Sequence, residues 1–580
     1  MVLDFLQQNF SEDQFFKHQL PQFCISVSPE MTKKINGKIA WQKILNRICK
    51  EEINALAKIA KETNVQIAFM KGLVLAEDVY ASPEKRFFGD IDLLVDVSDL
   101  KKFLKKCKTL GYTFLFMETD ETLEKGIIHS EDSKMHHYHE LSKTISLGAL
   151  QIEINIDVHT QVYSQSFHQI KIPYANITTP ALRRSILFDR EGFENVYILN
   201  RNDDLIAIVL HTVKHFFENI MASMKSYEYS YFFKMRDLLD VDLFIEKYNI
   251  DYIELIEQAI KWDAVSELVF IFKIIESYKP NEFEKIGLDE IYKNHRRQGG
   301  FVASSINLFM TNFDNLFDLL LLPSWELAKF IVDNRSDIEY PTILSYKGDD
   351  YKDLSESCFT INEQSEKINN KLGTHHKVGR QIEQPDYWHC HGTTRWTDDH
   401  LFFKLKVDSS YALNLKADSH KGWAPSNSID FYFLKPNAKE NESFIKQIEI
   451  PLQIYDDKDS KLYGEPFIKV FDMELKNMDE DNRLYKQWDE DSFVSDFKVD
   501  GNDYILEIGF KWDILKDCIV NNELICDIAI VAFDDLLPHT PDNNPPRRTV
   551  LSWASTFSYS DFHDITNFGR LKVVDGICIL

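Results

Sequence analysis

The chain has no excess of basic charge, no paired-cysteine motif and no long apolar run. Ninety-two acids against 66 bases leave a formal net charge of -26. A protein that grips long nucleic acid without sequence preference needs a basic stripe to release counterions, so a polynucleotide partner is not expected. The short cluster Lys101, Lys102, Lys105, Lys106 and Lys108 reads as one exposed helix face, and a local positive patch for a triphosphate stays compatible with the balance. No stretch reaches the roughly 18 uncharged apolar residues that a bilayer span requires, so no membrane partner is expected. The start, MVLDFLQQNFSEDQ, lacks the basic and apolar regions of a signal peptide. The eight cysteines (Cys24, Cys49, Cys107, Cys358, Cys390, Cys518, Cys526, Cys578) form no C-x-x-C. That argues against a zinc ribbon or redox motif and for reduced thiols in a cytoplasmic protein. Internal repeats and low-complexity tracts are absent.

What is present is a long, folded, multidomain chain. At 580 residues two to four domains are expected, and 44% apolar with 13% aromatic residues favours packed cores over disorder. Residues 1–64 read as helical, with Ile39, Trp41, Ile44, Leu45, Ile48, Ile53, Leu56, Ile59 and Ala60 near a 3.6-residue period. From Val65 to 200 the pattern becomes strand, helix and strand, with a helix from Leu100 to Leu110 that Gly111 ends. Residues 201–332 read as helical again, with Asp251 opening one of the helices. Residues 333–385 are polar and poorly periodic and read as a linker or extended connection that could hide short strands. From 386 to 580 the period is two, which predicts an all-β sandwich.

The most informative segment is Gly89-Asp90-Ile91-Asp92-Leu93-Leu94-Val95. In a strand, side chains alternate, so Asp90 and Asp92 share one face while Ile91 and Leu93 enter the core. Two neighbouring carboxylates repel, and a hard divalent cation resolves the conflict. A second strand, Gln151 to His159, alternates strictly: Ile152, Ile154, Ile156 and Val158 on one side, Glu153, Asn155, Asp157 and His159 on the other.

Ahead of the aspartates stand Lys71-Gly72, Leu75-Ala76, Tyr80, Pro83 and Arg86. The pattern K-G-x-x-L-A-x-x-x-Y…P-x-x-R-x-x-G-D-I-D-L-L-V resembles the nucleotidyltransferases of the DNA polymerase β superfamily. More narrowly, it resembles the bacterial branch called nucleotidyltransferase family 5, over about residues 35–330. The resemblance implies a multidomain α+β chain: a polymerase β-like α/β core with flanking helices, followed by the β-sandwich. It implies transfer of a nucleoside monophosphate from an NTP, with ATP the guess, to a hydroxyl or phosphate on a small molecule, sugar or peptide. Mg²⁺ or Mn²⁺ would be held by Asp90, Asp92 and Asp157, with Glu153 on the same face as the alternative third carboxylate. Lys71 and Gly72 take the place of the superfamily's Gly-Ser turn. Together with Arg86 and Gly89 they are the nucleotide-binding candidates; for Arg86 a salt bridge to a nearby acid is the competing reading.

His139 and His159 are read as acceptor-orienting groups, and His211 and His215, four apart on one helix face, as structural or cleft-lining. Zinc is not favoured for the His136-His137-Tyr138-His139 run, because suitable partner ligands are lacking. Arg236 and Asp237 suggest an internal ion pair. The C-terminal region resembles family 9 carbohydrate-binding modules through Trp396 to Phe403, Asp430-Phe431-Tyr432, Leu506 to Trp512, Ser552-Trp553 and Phe568 to Leu571. Among Trp388, Trp396, Trp423, Trp512 and Trp553, Trp423 in its Gly-Trp-Ala-Pro setting is the ligand candidate, and the others are read as core. Two further functions stay open: a non-catalytic nucleotide- or glycan-binding protein, and a toxin–antitoxin-type enzyme that nucleotidylates a protein.

Overall fold

The structure is a computed structural model. It describes residues 29–80, 83, 86, 88–114, 138–148, 150–165, 170–173, 182–183, 192–225, 233–280, 283, 286–297, 301–334, 342–349, 358–361, 389–408, 427–438, 444–452, 493–500, 503–533, 548–552 and 569–574. The chain separates into two compact units. The first comprises residues 1–217, 232–297 and 306–323; the second comprises 218–231, 298–305 and 324–580.

The first unit begins with a long helix, α1 (Pro29–Thr63). Its apolar stripe from Leu45 to Ala60 is buried, whereas Trp41 and Ile44 of the expected stripe are exposed. Then come β1 (Ile67–Met70), the one-turn α2 (Lys71–Val74) widening into a π turn over Leu75–Val79, β2 (Asp90–Val95) and α3 (Val97–Thr109). Asp96 caps α3 by accepting from the Ser98 amide, and Gly111 just past its end has a φ of 84°. Strands β3 (Thr113–Phe114), β4 (Tyr138–Leu147), β5 (Leu150–His159), β6 (Gln161–Gln165), β7 (Ile170–Pro173), β8 (Leu182–Arg183) and β9 (Val196–Leu199) follow. Seven of them form one mixed sheet in the order β3-β4-β5-β2-β1-β9-β8, while β6 and β7 pair separately. Strand β1 is buried along its whole length, as a central strand must be.

The helices of this unit are α4 (Arg201–Lys225), whose last turns belong to the second unit, α5 (Met235–Lys247), α6 (Tyr252–Lys261), α7 (Val265–Tyr278) and α8 (Leu288–His295). Asp251 caps α6 through the amides of Ile253 and Glu254. Among the described residues, one helical stretch, Arg201–Met224 in α4, is long and apolar enough to cross a membrane. Two thirds of its apolar window (67%) is buried inside the fold. Helix α5 carries three buried aspartates, Asp237, Asp240 and Asp242. Each has a cationic partner: Asp237 has Arg236, with His215 hydrogen-bonded to its other oxygen, Asp240 has Arg86, and Asp242 has Lys279. Buried carboxylates persist only when paired in this way.

Helix α9 (Phe301–Asn312) spans the chain division, and a 3₁₀ turn at Leu316–Leu321 closes the first unit. The second unit contains α10 (Ser324–Asp333) and strands β10 (Thr342–Lys347), β11 (Cys358–Ile361), β12 (His389–Trp396), β13 (His400–Asp408), β14 (Asn427–Leu434), β15 (Ile445–Leu452), β16 (Phe493–Asp500) and β17 (Asp503–Lys511). After α11 (Trp512–Leu515) come β18 (Ile519–Val520), β19 (Glu523–Phe533), β20 (Arg548–Ser552) and β21 (Gly569–Val573).

One expectation changes here. The segment 333–385, read as a linker or extended connection that could hide short strands, holds β10 and β11, and β10 pairs in parallel with both β21 and β12. Because β10 bridges them, the twelve strands form one continuous sheet rather than the two separate sheets of a sandwich. The sheet curls into an open half-barrel: β13 and β14 are separated by four strands in its order, yet Phe403 and Phe431 approach to 4.9 Å. Phe431 and Phe510 of β17 meet at 5.1 Å in the same core. Two glycines sit under aromatic rings: Gly392 opposes Phe359, and Gly509 opposes Phe402. A Cβ at Gly392 would lie 2.1 Å from the Phe359 ring, and one at Gly509 would lie 2.4 Å from the Phe402 ring. Lys446 is buried and anchored to Asp517 (2.6 Å).

Candidate active site

The aspartate strand sits in the middle of the seven-stranded sheet. Strand β2 runs parallel to β5, and Asp92 lies directly beside Asp157 in that register. On its other side β2 runs antiparallel to β1, where Met70 pairs with Asp92. Lys71, one residue beyond, is therefore delivered to the same spot. It occupies the sharp turn from β1 into α2 with a left-handed φ of 52°, unusual for a side-chain-bearing residue. Such strain is typically held in place by surrounding structure at functional sites.

Four polar groups converge there. Lys71 Nζ donates to Asp92 Oδ1 at 2.6 Å. His159 Nε2 is 2.9 Å from the same oxygen and 3.5 Å from Lys71 Nζ. Asp92, Asp157 and His159 each bring one ligand atom within 4.8 Å of the other two. His159 joins this group because it follows Asp157 by two positions on β5, hence on the same face. Burial alone would push the Asp92 carboxyl up, but the Lys71 ammonium and the His159 hydrogen bond hold it well below the usual carboxylate range. Burial, reinforced by Lys71, lowers the His159 imidazole to about 4, against the opposing pull of Asp92. Asp90 is not part of the compact group. It stands half-buried at the start of β2, and burial together with the Asp92 charge raises its carboxyl pKa.

The other candidates divide. Gly72 is buried with a built-in constraint, since a Cβ there would lie 2.8 Å from Phe88 Cβ. Gly89 is exposed, and a Cβ there would meet nothing within 4 Å. Arg86 is ion-paired. Its guanidinium is buried against Asp240, donating from Nε at 2.8 Å and from Nη2 at 2.8 Å, and Tyr80 adds its hydroxyl to the same carboxylate at 2.7 Å. The Tyr80 and Arg86 positions of the motif thus clamp the turn to α5. For Arg86 the competing reading, a salt bridge, is the one found. Glu153 is exposed four residues before Asp157 and stands outside the group of three.

Helix α4 presents a polar face nearby. His215 Nδ1 lies 2.7 Å from Asp237 Oδ2, and Arg236 holds the other oxygen of that carboxylate at 3.0 Å. His211 packs edge-on to His215 with ring centres 4.1 Å apart. Burial, His215, Lys71 and Lys214 all push the His211 pKa down, and Lys214 also acts on His159. Lys71 and Lys214 therefore lie within electrostatic reach of both histidine groups. Asp240 and Lys214 were not singled out from the sequence. Two buried acids three apart, Asp237 and Asp240, were the available signal for the first; Lys214 gave none. His139 lies on β4, its side chain outside the described residues, and Trp423 lies outside them altogether. Trp396 and Trp512 are core, with indole N–H groups donating to the Val574 and Thr397 carbonyls.

A family described as an uncharacterised nucleotidyltransferase matches residues 16–278. The N-terminal half carries a nucleotidyltransferase-like domain. The match takes in β1, α2, β2 and β5, the elements that supply Lys71, Asp90, Asp92, Asp157 and His159. Among solved structures, similarity is found to a family 9 carbohydrate-binding module from Caldicellulosiruptor kristjanssonii. In complex with cellotriose it is 11% identical, with a TM-score of 0.23, and the alignment covers 40% of this chain and 93% of that one. In complex with glucose the values are 12%, 0.23, 41% and 99%. A search of curated proteins finds no match.

Nucleotidyltransferases generally use divalent metals, and the residues present fit one. The donors are two carboxylates and an imidazole, and the Lys71 ammonium already sits against Asp92 as a stand-in cation.

Proposed function

We propose that the N-terminal unit is a metal-dependent nucleotidyltransferase. It moves a nucleoside monophosphate from an NTP, ATP being the first candidate, to a hydroxyl or phosphate of a small molecule, sugar or peptide. The observation that carries this reading is the side-by-side placement of Asp92 and Asp157 on parallel strands, with His159 closing the group. Asp92, Asp157 and His159 would hold Mg²⁺ or Mn²⁺, with Asp90 at the mouth as a further carboxylate. A bound divalent ion would supply charge neutralisation at the triphosphate and at the attacking oxygen.

The chain's own residues do the remaining work. Asp92 is held ionised and ready to bind. Lys71 sits at the head of α2 with its ammonium beside Asp92, where it can exchange a carboxylate for a phosphate oxygen. Gly72 lets the turn pack closely against Phe88, where a Cβ would clash. Arg86 and Tyr80 fix that turn to Asp240. The α4 face carrying His211, Lys214 and His215 is the candidate wall for the acceptor or the phosphates, with Asp237 fixing the orientation of His215. Catalysis of this kind rests on positioning and electrostatics more than on covalent participation.

The test is pyrophosphate release from each NTP with Mg²⁺ or Mn²⁺, comparing the wild type with the Asp90→Asn/Asp92→Asn double variant. Loss of release with an intact fold is expected, and unchanged turnover in the double variant rejects the mechanism. Mass spectrometry of co-expressed proteins separates a peptide acceptor, which would gain a nucleotide mass, from a small-molecule one.

A further inference from the structure

The carboxylate–imidazole pair between α4 and α5 lies outside the metal group and has no task in holding the ion. We propose that His215, aimed by Asp237, is the general base of the transfer, and that the acceptor is therefore a neutral hydroxyl rather than a phosphate. The inference rests on the transferase reading given above and names the acceptor class and one further catalytic residue of that same site. In the step, the acceptor O–H gives its proton to His215 Nε2 while its oxygen bonds to the α-phosphorus. The bond from that phosphorus to the bridging oxygen breaks, and pyrophosphate leaves with the electron pair. The imidazolium then releases its proton to water.

The pair is built in the sense a base requires. His215 Nδ1 lies 2.7 Å from Asp237 Oδ2, while Arg236 donates to Oδ1 from Nε at 3.1 Å and from Nη2 at 3.0 Å. Burial alone would raise the Asp237 carboxyl, but Arg236 and the His215 hydrogen bond hold it well below the usual carboxylate range. An ionised carboxylate only accepts, so the proton between the two residues sits on Nδ1, and Nε2 keeps its lone pair. A buried aspartate fixes the tautomer and orientation of a catalytic histidine in this way. Arg236 already neutralises Asp237, so the pair does not need the imidazole as its counter-ion. The aspartate side chain is 2% exposed and the histidine 23%, so the acid backs the ring while the ring is open to solvent.

The fold carries this pair to the edge of the sheet that holds the metal group. Strand β9 runs parallel to β1 with Ile198 beside Phe69, so α4, which starts at Arg201, leaves the sheet where Lys71 does. Tyr163, four residues after His159 in the chain, donates to the Leu210 carbonyl at 3.4 Å. Thr212 donates to the Asp237 carbonyl at 3.2 Å and ties α4 to α5 one turn from His215. Asp240, one turn beyond Asp237, holds Arg86 and Tyr80, so one helix fixes both the segment ahead of β2 and the base. His211 has its ring centre 4.1 Å from that of His215 and is acted on by Lys71, Lys214 and Asp237. The histidine pair is therefore within electrostatic reach of the ammonium that sits against Asp92.

The experiment uses the full-length chain with each NTP and Mg²⁺, and two acceptor probes. Glycerol offers a hydroxyl that must lose a proton; inorganic phosphate offers an oxygen with none to lose. General-base catalysis contributes about 10²–10⁴-fold. Pyrophosphate release with glycerol, taken relative to release with phosphate, should therefore fall by about a hundredfold or more in His215→Ala. Free imidazole should restore part of that loss in His215→Ala and none of the loss in Asp92→Asn. A structural histidine would lower both releases together and give no rescue. An unchanged ratio, or a loss that imidazole does not restore, overturns the proposal. Diethyl pyrocarbonate on the wild type needs neither a substitution nor turnover, so a variant that fails to fold leaves the proposal testable. Carbethoxylation mapped to His215 by mass spectrometry is expected from an open Nε2, and an unreactive His215 overturns the proposal. Release from no NTP with either probe refutes the transferase reading, and the base falls with it. Release in the wild type with an unchanged ratio in His215→Ala refutes the base alone.

Discussion

Lys71 is the sharpest place to perturb this molecule, because it ties the turn to the metal group. Lys71→Met keeps the length of the side chain and removes the ammonium from between Asp92 and His159. The side chains concerned are 16% and 7% exposed, so the Asp92 carboxylate is left largely buried with one partner fewer. Deleting one member of a buried pair costs about 3–5 kcal/mol. His159 still contacts Asp92, which points to the lower end, about 3 kcal/mol. The left-handed backbone at position 71 does not enter the comparison, since Met and Lys bear the same strain there. Lys71→Gly does relieve it and should recover about 1 kcal/mol relative to Lys71→Met. A divalent ion then changes the ranking. At one hundred times its dissociation constant it stabilises the folded state by about 2.7 kcal/mol. In Lys71→Met it enters a vacant negative site, whereas in the wild type it must first displace the ammonium. The variant should therefore be weak without metal and close to wild type with Mn²⁺. Amide hydrogen exchange of β2 and β5 measures this locally, which suits a chain whose two units need not unfold together. A variant as stable as the wild type without metal, or equal stabilisation of the two by Mn²⁺, refutes the reasoning.

Other perturbations give independent checks. Arg86→Met strands the buried Asp240 carboxylate and should cost about 3–5 kcal/mol, read from the urea midpoint of the first unit; a near-neutral effect would show that the clamp is dispensable. Gly72→Ala pushes a methyl against Phe88 Cβ and should destabilise by about 1–3 kcal/mol, read from the urea midpoint of the first unit; because alanine keeps Cβ, Phe88→Ala should not rescue it, and a rescue would refute this cause. Asp203, beside the Asn200 cap of α4, is pushed up to about 6 by burial. Its folded form holds a proton that the unfolded chain releases near pH 4, so stability falls as pH rises from about 4 to about 6. Asp203→Asn should flatten that decline in a series of urea midpoints against pH, and an unaltered slope would exclude Asp203 as its source.

The shared faces at the candidate site were legible because strand alternation is a strict rule. Asp90 and Asp92 two apart, and Asp157 and His159 two apart, can only share faces once both segments are strands, and both are. What alternation cannot supply is the register between strands. It is this register that sets Asp92 beside Asp157 and leaves Asp90 opposite Asn155, outside the compact group. The role of Arg86 was hidden for a related reason: its partner, Asp240, is 154 residues away on a helix whose buried acids look like an ordinary polar face. Strand β10 was lost in a polar segment because half its residues face away from the core, and its partners β12 and β21 lie about 50 and 230 positions further on. The same long-range pairing turned an expected sandwich into one bent sheet. Trp41 and Ile44 fit the helical period and are nonetheless exposed, since a period identifies a stripe but not how far along the helix the core extends.

The two phenylalanine–glycine pairs in the large sheet bear on how its strands find their places. Phe359 lies flat over Gly392, and a shift of one residue would set its ring against Thr393 or His391, each with a side chain in the way. Phe402 over Gly509 would meet Ile508 or Phe510 after the same shift. A sheet of twelve strands offers many near-equivalent alignments, and a slip of one residue turns every side chain to the wrong face. Each ring fits above only one position on its partner strand. The pairs therefore act as alignment keys: a pairing one residue out of step sets each ring against a side chain in place of a glycine.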